Sequence, residues 1–383
     1  MTKSYTQLGD EILVWKLMGI EKLQQESRNG PTPPGPYEAI IAPQWNGLCG
    51  SDMHIYLTAL LGEEKMKEPF VLGHEASGIV VEIGNQVRRL TIGDKVAIEP
   101  GEGCGRCGDC KKGAYNHCDY MKFAAADGRD GTLQGLYKLP ADLCYKLPDN
   151  LSLEEGALME PLAVAVNAIT NIANLPHSAN VVVFGAGPVG LLTMAVAKAL
   201  GARRIIAIDV QKERLDFAKT YLAADIHVAS PMKENETKES YSQWHADLIK
   251  DSLGMTDRGI ESIDLVIDCS AAEVCMQTGL WLLKRKGTYV QVGCGPLYVK
   301  LPMRIIADRE LIVKGCFRYG PGVYPMAIDL VSRGLIDLKP LITHKFKWEE
   351  AVKAFETTKV GKGDDGKMAI KVMIGPPPRI RTS

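Results

Sequence analysis

Four closely spaced cysteines form the clearest chemical signal in this 383-residue sequence. They are Cys104, Cys107, Cys110 and Cys118, with the spacing C-x2-C-x2-C-x7-C in a glycine-rich stretch. Four thiolates at such spacing are typical of a tetrahedral structural zinc site, which keeps no position open for substrate. A disulfide ladder would need an oxidising compartment, and unrelated core cysteines would not be spaced in this way. The sequence therefore predicts a lobe at about residues 100–120 that zinc helps to fold.

A second group of possible metal ligands is dispersed along the first third of the chain. Cys49 begins the segment Cys-Gly-Ser-Asp-Met-His, and His74 and Glu75 follow later. One cysteine and one histidine with a nearby carboxylate could hold zinc and keep a position for water or substrate. Other interpretations stay open, because Cys49 could be a buried thiol and His74 a core histidine. Glu160, at a candidate domain boundary, is similarly ambiguous.

A glycine-rich turn after the apolar run Val181–Phe184 predicts a dinucleotide site. Its sequence is Gly185-Ala-Gly187-Pro-Val-Gly190, a G-x-G-x-x-G motif that opens a helix. The first glycine permits the tight turn, the second lets the backbone approach a pyrophosphate, and the third lets the helix pack close to the strand. Asp209 ends the next apolar strand, where an acidic residue can bind the ribose hydroxyls.

The same Asp209 favours NAD over NADP, because its carboxylate would repel a 2′-phosphate. Three nearby cations, Arg203, Arg204 and Lys212, could weaken that preference. We therefore expect NAD to be the cofactor. Comparison of kcat/KM with NAD and with NADP tests this expectation.

The character of the sequence changes near Pro161, which predicts two kinds of domain. Before this point, short β-rich runs such as residues 37–43 and 78–83 indicate a small all-β barrel or sandwich. After it, apolar strands alternate with helices, which predicts βαβ units and a parallel sheet covered on both faces. The expected fold class is α/β. Residues 233–243 are polar and are interpreted as a solvated loop or a frayed helix end.

Composition and charge argue against several classes of partner. The chain has 45 Lys+Arg, 46 Asp+Glu and a net charge of -1, so nothing favours nucleic acid or an anionic membrane. No apolar run approaches the roughly 18 residues of a membrane span, and the first ten residues lack a secretory signal. We therefore expect a cytoplasmic protein. Five further cysteines lie in or near apolar segments and are interpreted as packing residues: Cys144, Cys269, Cys275, Cys294 and Cys316.

Taken together, the motifs resemble the zinc-containing medium-chain alcohol dehydrogenases. The resemblance rests on Gly73-His-Glu-x-x-Gly78, the four-cysteine lobe and the glycine-rich turn, and runs from about residue 45 to about residue 370. Glu160-Pro-Leu-Ala and Gly315-Cys-Phe-Arg-Tyr319 are similar to the polyol branch, which contains sorbitol, xylitol and L-arabinitol dehydrogenases. This implies a GroES-like catalytic domain, residues 1–163 and 316–383, around a Rossmann cofactor domain, residues 164–315.

The resemblance also implies roles for individual residues. A catalytic zinc would be held by Cys49, His74 and either Glu75 or Glu160, with a water, which makes two zinc ions per chain. The residues implied to face the substrate are Glu160, Arg318, Tyr319, Ile55 and Phe123. The residues implied to line the cofactor are Gly185, Gly187, Pro188, Val189, Gly190, Asp209, Arg214, Val292, Gly293, Cys294, Phe317, Arg318 and Tyr319.

In the implied reaction, zinc favours the alkoxide of a secondary alcohol, which passes hydride to the nicotinamide. Ser51 and His54 would relay the proton, although each could be an ordinary loop residue. Arg318 offers five donors that could orient a substrate with several hydroxyls, although it could instead form a surface or interface salt bridge.

Two departures leave the particular sugar alcohol open. Ile55 occupies a position that is commonly aromatic in polyol members, and the loop 127–131 lacks the usual proline-containing stretch. The sequence also allows two other functions: a vicinal-diol dehydrogenase acting on a compound such as 2,3-butanediol, and a non-catalytic NAD-binding protein. The retained zinc ligands argue against the second. The family further suggests a homotetramer.

Overall fold

The computed structural model describes residues 11–62, 64–126, 129–222 and 224–378. The chain divides into two compact units, one formed by the residues up to Glu160 and from Gly320 onward, the other by Pro161–Tyr319. The first ten residues, two residues of the loop 127–131 and the tail beyond residue 378 lie outside the described residues.

The first unit is mainly β-structure. Its strands are β1 (Glu11–Gly19), β2 (Lys22–Asn29), β3 (Glu38–Gly47), β4 (Leu60–Leu61), β5 (Glu64–Lys65), β6 (Phe70–Val71), β7 (Glu75–Ile83), β8 (Lys95–Ile98), β9 (Gly101–Glu102), β10 (Lys122–Phe123), β11 (Tyr137–Pro140), β12 (Cys144–Lys146), β19 (Ile342–Phe346) and β20 (Lys371–Ile374). Its helices are α1 (Gly50–Thr58), α2 (Gly108–Lys111), α3 (Leu153–Ala157), α10 (Val323–Ser332) and α11 (Ala351–Val360), and α4 (Met159–Asn167) begins at its last residues.

The main sheet of this unit has the order β12-β8-β7-β3-β20-β19, with β11 also paired to β3. Strand β3 is buried on both sides, because Ile40 and Ile41 belong to different apolar clusters. Gly78 of β7 pairs with Pro43 of β3, where a Cβ would overlap the backbone of Ala42. This glycine therefore lets the two strands approach and fixes where β7, which starts at Glu75, meets the rest of the sheet.

The second unit alternates strands and helices. Its strands are β13 (Asn180–Phe184), β14 (Arg204–Asp209), β15 (Asp225–Val228), β16 (Ile263–Asp268), β17 (Leu283–Gln291) and β18 (Ile312–Gly315). Its helices are α5 (Pro188–Ala199), α6 (Lys212–Leu222), α7 (Lys238–Leu253), α8 (Glu273–Leu282) and α9 (Met303–Asp308).

These strands form one parallel sheet with the order β15-β14-β13-β16-β17-β18. The direction of winding reverses between β13 and β16, which is the switch point where doubly wound sheets bind ligands beyond the carboxyl ends of their strands. Gly185, Asp209 and Asp268 lie at those ends. The predicted α/β class and parallel sheet are confirmed.

The interpretation of residues 233–243 as a loop or a frayed helix end is wrong for its second half. Helix α7 begins at Lys238, and the Thr237 hydroxyl accepts a hydrogen bond from the Ser240 backbone N–H at 3.2 Å. Tyr241 and His245 are buried one turn apart on this helix. The sequence pattern did not indicate this helix because its buried face is narrow and the residues around it are charged. No helix of the described residues combines the length and apolar content needed to cross a membrane.

Candidate metal centres and cofactor site

The dispersed ligands predicted from the sequence come together in the first unit. One donor atom each of Cys49, His74 and Glu75 lies within 4.8 Å of the others. Cys49 directly precedes helix α1, and Glu75 is the first residue of β7, so a helix start and a strand start supply the group. His74 and Glu75 are buried. A thiolate, an imidazole and a carboxylate are the donor types that zinc binds, and three protein ligands leave a fourth position open.

Asp52 orients the histidine of this group, a role that the sequence analysis did not assign. Its buried carboxylate accepts hydrogen bonds from the backbone N–H groups of Cys49 and Gly73, each at 3.1 Å. It also lies 3.4 Å from His74 Nδ1, which leaves Nε2 for a metal. Burial opposes ionisation of Asp52, but His74 and the two backbone donors outweigh it and hold the Asp52 pKa below its usual value. An acidic residue at the third helix position after Cys49 was the available signal.

Lys371 holds the glutamate. Its ammonium is 2.5 Å from Glu75 Oε2 and 3.1 Å from the Leu48 carbonyl oxygen, and both charged side chains are almost fully buried. Burial would lower the pKa of Lys371, but the Glu75 carboxylate overcomes this and raises it. The sequence offered no signal, since 296 residues separate the pair. Glu160 is also buried, and its charge acts on Lys371, but it is outside the close group of donor atoms.

The other predicted residues of the first unit occupy different surroundings. The Ser51 hydroxyl lies 3.5 Å from His74 Nε2, and His54 is exposed on α1. The Phe123 ring lies beside His74, with ring centroids 5.7 Å apart. Ile55 is buried in an apolar cluster of the core. Ser51 and Phe123 are therefore adjacent to the candidate metal ligands, whereas substrate contact by Ile55 and proton relay by His54 stay predictions.

The four-cysteine lobe also forms a compact donor group. The Sγ atoms of Cys104, Cys107, Cys110 and Cys118 all lie within 4.8 Å of one another, and none of these cysteines is in a disulfide. Backbone N–H groups of Arg106 and Cys107 donate to Cys104 Sγ and lower its pKa to about 6. A stabilised thiolate among four sulfur donors fits a closed tetrahedral zinc site.

The glycine-rich turn has the geometry that its spacing predicts. Gly185 adopts a positive φ of 90°, and a Cβ on Gly190 would overlap the Gly185 carbonyl oxygen, so α5 packs tightly on the turn. A Cβ on Gly187 would meet only Arg214 Nη1, at 4.0 Å. Pro188 starts α5, where its missing N–H is not needed, and Val189 follows in the first turn.

Asp209 is buried at the end of β14 and is fixed by the backbone. Its two oxygens accept hydrogen bonds from the Ala186 and Gln211 N–H groups, each at 2.8 Å, and Arg214 Nη1 is 4.0 Å away. Three cations near Asp209 in the sequence could have weakened the preference for NAD. Arg203 and Arg204 lie at the opposite end of β14, paired with Glu261 and Asp225, and Lys212 pairs with Asp216.

The remaining predicted cofactor residues also lie in the second unit. The Val292 and Gly293 N–H groups both donate to the Asp268 carbonyl oxygen at 2.9 Å. Phe317 is exposed with the Arg318 guanidinium 4.8 Å from its ring centroid, and Tyr319 is buried. The interpretation of Cys294 as a packing residue is wrong because it is exposed, whereas Cys144 is buried as expected.

Two family descriptions match the chain. Residues 35–149 match the alcohol dehydrogenase GroES-like domain, and residues 188–333 match the zinc-binding dehydrogenases. A probable D-xylulose reductase A of Emericella nidulans is 46% identical over 95% of this chain and 96% of its own. The chain belongs to the polyol branch of the zinc-containing medium-chain alcohol dehydrogenases.

Further members of this family support the assignment. D-xylulose reductase A of Aspergillus niger is 44% identical over 92% of this chain and 94% of its own length. Among solved structures, 2R,3R-butanediol dehydrogenase of Bacillus subtilis aligns with a TM-score of 0.79 at 27% identity, covering 96% of this chain and all of that one. The GroES-like and Rossmann-like domains predicted from the resemblance are therefore confirmed.

Proposed function

We propose that this protein oxidises a secondary hydroxyl of a sugar alcohol to a ketose and transfers the hydride to NAD, with zinc required for the reaction. The observation that carries the proposal is the Cys49–His74–Glu75 donor group, in which Cys49 is partly buried and the other two are buried, and which provides three ligands and keeps one position open. D-xylulose reductases at 44–46% identity over most of the chain support a polyol and ketose pair as the substrates.

At the proposed zinc centre, different residues of the first unit have different roles. Zinc, when bound there, acts as a Lewis acid that makes the substrate hydroxyl more acidic, and NAD accepts the hydride. Asp52 sets the orientation of His74, and Lys371 restrains Glu75. In this proposal Ser51, whose hydroxyl lies 3.5 Å from His74 Nε2, accepts the hydroxyl proton and passes it on. We further propose Glu160 and Phe123 as neighbours of the substrate, and Arg318 as a donor to its other hydroxyls.

We also propose two zinc ions per chain and a homo-oligomer, with a tetramer favoured. The two separate donor groups support the first. For the second, β18 is an edge strand of the parallel sheet and exposes Ile312 and Val313, an unprotected edge that pairing with another copy would cover. Metal analysis and light scattering measure both quantities.

The decisive experiment is replacement of the proposed thiolate ligand. Cys49→Ser should abolish turnover of a panel of four- to six-carbon sugar alcohols and leave the Kd for NAD unchanged, because the dinucleotide turn is in the other unit. Cys144→Ser, a buried cysteine outside the donor group, is the matched control and should retain turnover. Full activity of the Cys49 variant at normal zinc content would rule out the proposal, and a preference for 2,3-butanediol would favour the diol alternative.

The choice of NAD is tested separately. Two observations support NAD. Asp209 is buried and fixed by backbone hydrogen bonds, so a 2′-phosphate would meet its carboxylate. Arg203 and Arg204 lie at the other end of the strand and are paired with acidic residues. We expect kcat/KM to be higher with NAD than with NADP. The reverse order would show that Arg214, near Asp209, serves a phosphate instead.

A further inference from the structure

A buried chain of oxygen atoms lies at the carboxyl end of β16. Asp268 is fully buried, and its Oδ1 accepts three hydrogen bonds, from Ser270 N–H at 2.7 Å, the Ser270 hydroxyl at 2.8 Å and Ala271 N–H at 3.0 Å. Its Oδ2 lies 2.9 Å from Tyr289 Oη. That hydroxyl is in turn 2.7 Å from Gln291 Oε1.

If Asp268 is ionised, this row of oxygen atoms has one hydrogen too few for its hydrogen bonds. Two hydrogen bonds join Asp268 Oδ2, Tyr289 Oη and Gln291 Oε1, but the tyrosine hydroxyl has a single hydrogen. Gln291 cannot supply the second, because its Nε2 donates to the Gly293 carbonyl oxygen at 2.8 Å, and turning the amide would place two oxygens in contact there. Oδ1 already accepts three donors. The second proton therefore belongs on Asp268 Oδ2, which donates to Tyr289, and Tyr289 donates to Gln291.

The backbone that Asp268 binds, at Ser270 and Ala271, packs against the glycine-rich turn. Asp268 Oδ1 closes the turn at Ser270 and Ala271, and Ala271 adopts a positive φ of 62°. A Cβ on Gly185 would lie 3.2 Å from Ser270 N, and one on Gly293 would lie 2.9 Å from Ala271 N. Both predicted cofactor segments, the first glycine of the turn and the loop after β17, thus rest directly on the backbone that Asp268 organises.

We propose that Asp268 is a positioning residue that is kept as a neutral carboxylic acid and, with Tyr289 and Gln291, holds the loops on which the dinucleotide binds. The effect on NAD rests on the proposed function; the protonation state of Asp268 does not.

The surroundings of Asp268 agree with this state. Burial raises the pKa of Asp268 despite the hydrogen bonds it accepts. The titratable groups that act on it are Tyr289 on the adjacent strand, Cys269 next along the chain and Cys275 on α8, which also faces Asp209. Burial raises the pKa of both thiols to about 12 and raises that of Tyr289, so these three groups stay neutral together with Asp268.

The first test compares the stability of wild type and Asp268→Asn as a function of pH. An acid whose pKa is raised in the folded state takes up a proton on folding, so its contribution to stability falls as pH rises above the value of about 3.9 in the unfolded chain. Asparagine reproduces the neutral acid, with an amide hydrogen donated to Tyr289, and does not titrate. We expect wild type to lose stability relative to the variant as pH rises from about 4. A difference that does not change, or changes in the opposite direction, would mean that Asp268 is ionised.

The second test measures the Kd for NAD by fluorescence titration. Asp268→Asn should stay within about threefold of wild type, whereas Tyr289→Phe, which leaves the Asp268 and Gln291 oxygens unpartnered, should weaken binding by about tenfold. Asp264→Asn is the matched control on the same strand. Asp264 accepts from Asn180 N–H and pairs with Lys284, so its replacement should not change the Kd.

The outcomes separate the two proposals. If Asp268→Asn fails to fold, or binds NAD as poorly as Tyr289→Phe, the neutral-acid network is wrong. If wild type itself does not bind NAD, the proposed function fails, and the pH dependence of stability still decides the state of Asp268.

Discussion

At the candidate catalytic centre, each proposed zinc ligand contacts a buried charged side chain that is not itself a ligand. Asp52 contacts His74 and the backbone N–H of Cys49, and Lys371 contacts Glu75. A ligand that must keep one orientation in a protein interior needs such partners, because an unpaired buried charge is costly. The contribution of each partner is therefore open to measurement by single replacements.

The buried pair of Lys371 and Glu75 yields a stability prediction. Lys371→Met should lower the free energy of unfolding by about 3–5 kcal/mol, because it leaves the Glu75 carboxylate buried without its ammonium partner. Lys345→Met is the matched control. Lys345 pairs with Glu154 at 2.9 Å near the surface, and its loss should cost less than about 1 kcal/mol.

Denaturant unfolding of both variants and wild type, with the proposed catalytic site kept free of zinc so that Glu75 has no metal partner, gives both values. Equal losses in the two variants would contradict the view that Lys371 compensates Glu75.

At the scale of elements, two glycines of the G-x-G-x-x-G motif at the start of α5, Gly187 and Gly190, are required for different reasons. Gly187 has φ −78° and ψ −176°, which alanine also adopts, and open space beside its Cα. Gly190 has no space for a Cβ, because the Gly185 carbonyl oxygen is in the way.

We therefore expect Gly187→Ala to fold as stably as wild type and to weaken NAD binding by at least about tenfold, equivalent to about 1.4 kcal/mol, since the added methyl faces the pyrophosphate position. Gly190→Ala should instead lower stability by about 1–3 kcal/mol. Thermal unfolding and NAD titration of both variants measure this. A stability loss in the first variant, or none in the second, would reverse the assignment.

The four-cysteine lobe is a second element with its own test. It has few buried apolar side chains, and Tyr115 within it donates to the buried carboxylate of Glu99, which also accepts from Tyr145 at 2.8 Å. Cys107→Ser should lower yield and Tm before it changes kcat, since a closed site supports folding and not the reaction. A rate defect at unchanged Tm, with zinc content reduced by one per chain, would contradict the structural assignment.

At the scale of the whole molecule, a histidine pair makes stability depend on pH. His227 Nε2 lies 3.2 Å from His245 Nε2, and His227 Nδ1 lies 3.2 Å from the Ser252 hydroxyl. Burial, with a smaller effect of His227, lowers the pKa of His245 to about 4, and burial also lowers that of His227. Both are therefore neutral in the folded protein near neutral pH.

Because the unfolded chain binds protons first, the stability due to neutral His245 is complete above its unfolded pKa of 6.5 and is lost as pH falls towards 4. We expect wild-type Tm to fall by a few degrees more than that of His245→Gln over this interval. His177→Gln, at an exposed position, should keep the wild-type pH dependence. Identical curves for all three proteins would contradict the assigned neutral pair.

Local sequence determined the features that depend on neighbours along the chain. The lobe of Cys104–Cys118, the turn Gly185–Gly190 and Asp209 at the end of its strand were all predictable, because turn geometry, ligand spacing and strand ends involve residues a few positions apart. The parallel sheet followed from apolar strands alternating with helices. The regular part of α7 was missed, because its narrow buried face is surrounded by charges.

Tertiary structure alone decided the features that join distant segments. The sequence left Cys49 and His74 as possible core residues, and only the meeting of α1 with β7 makes them neighbours. It gave no reason to select Lys371 or the hydrogen-bonded oxygen atoms of Asp268, Tyr289 and Gln291. Burial and pairing of charges are set by which strands lie side by side, and neither quantity is encoded in the spacing of residues along one strand.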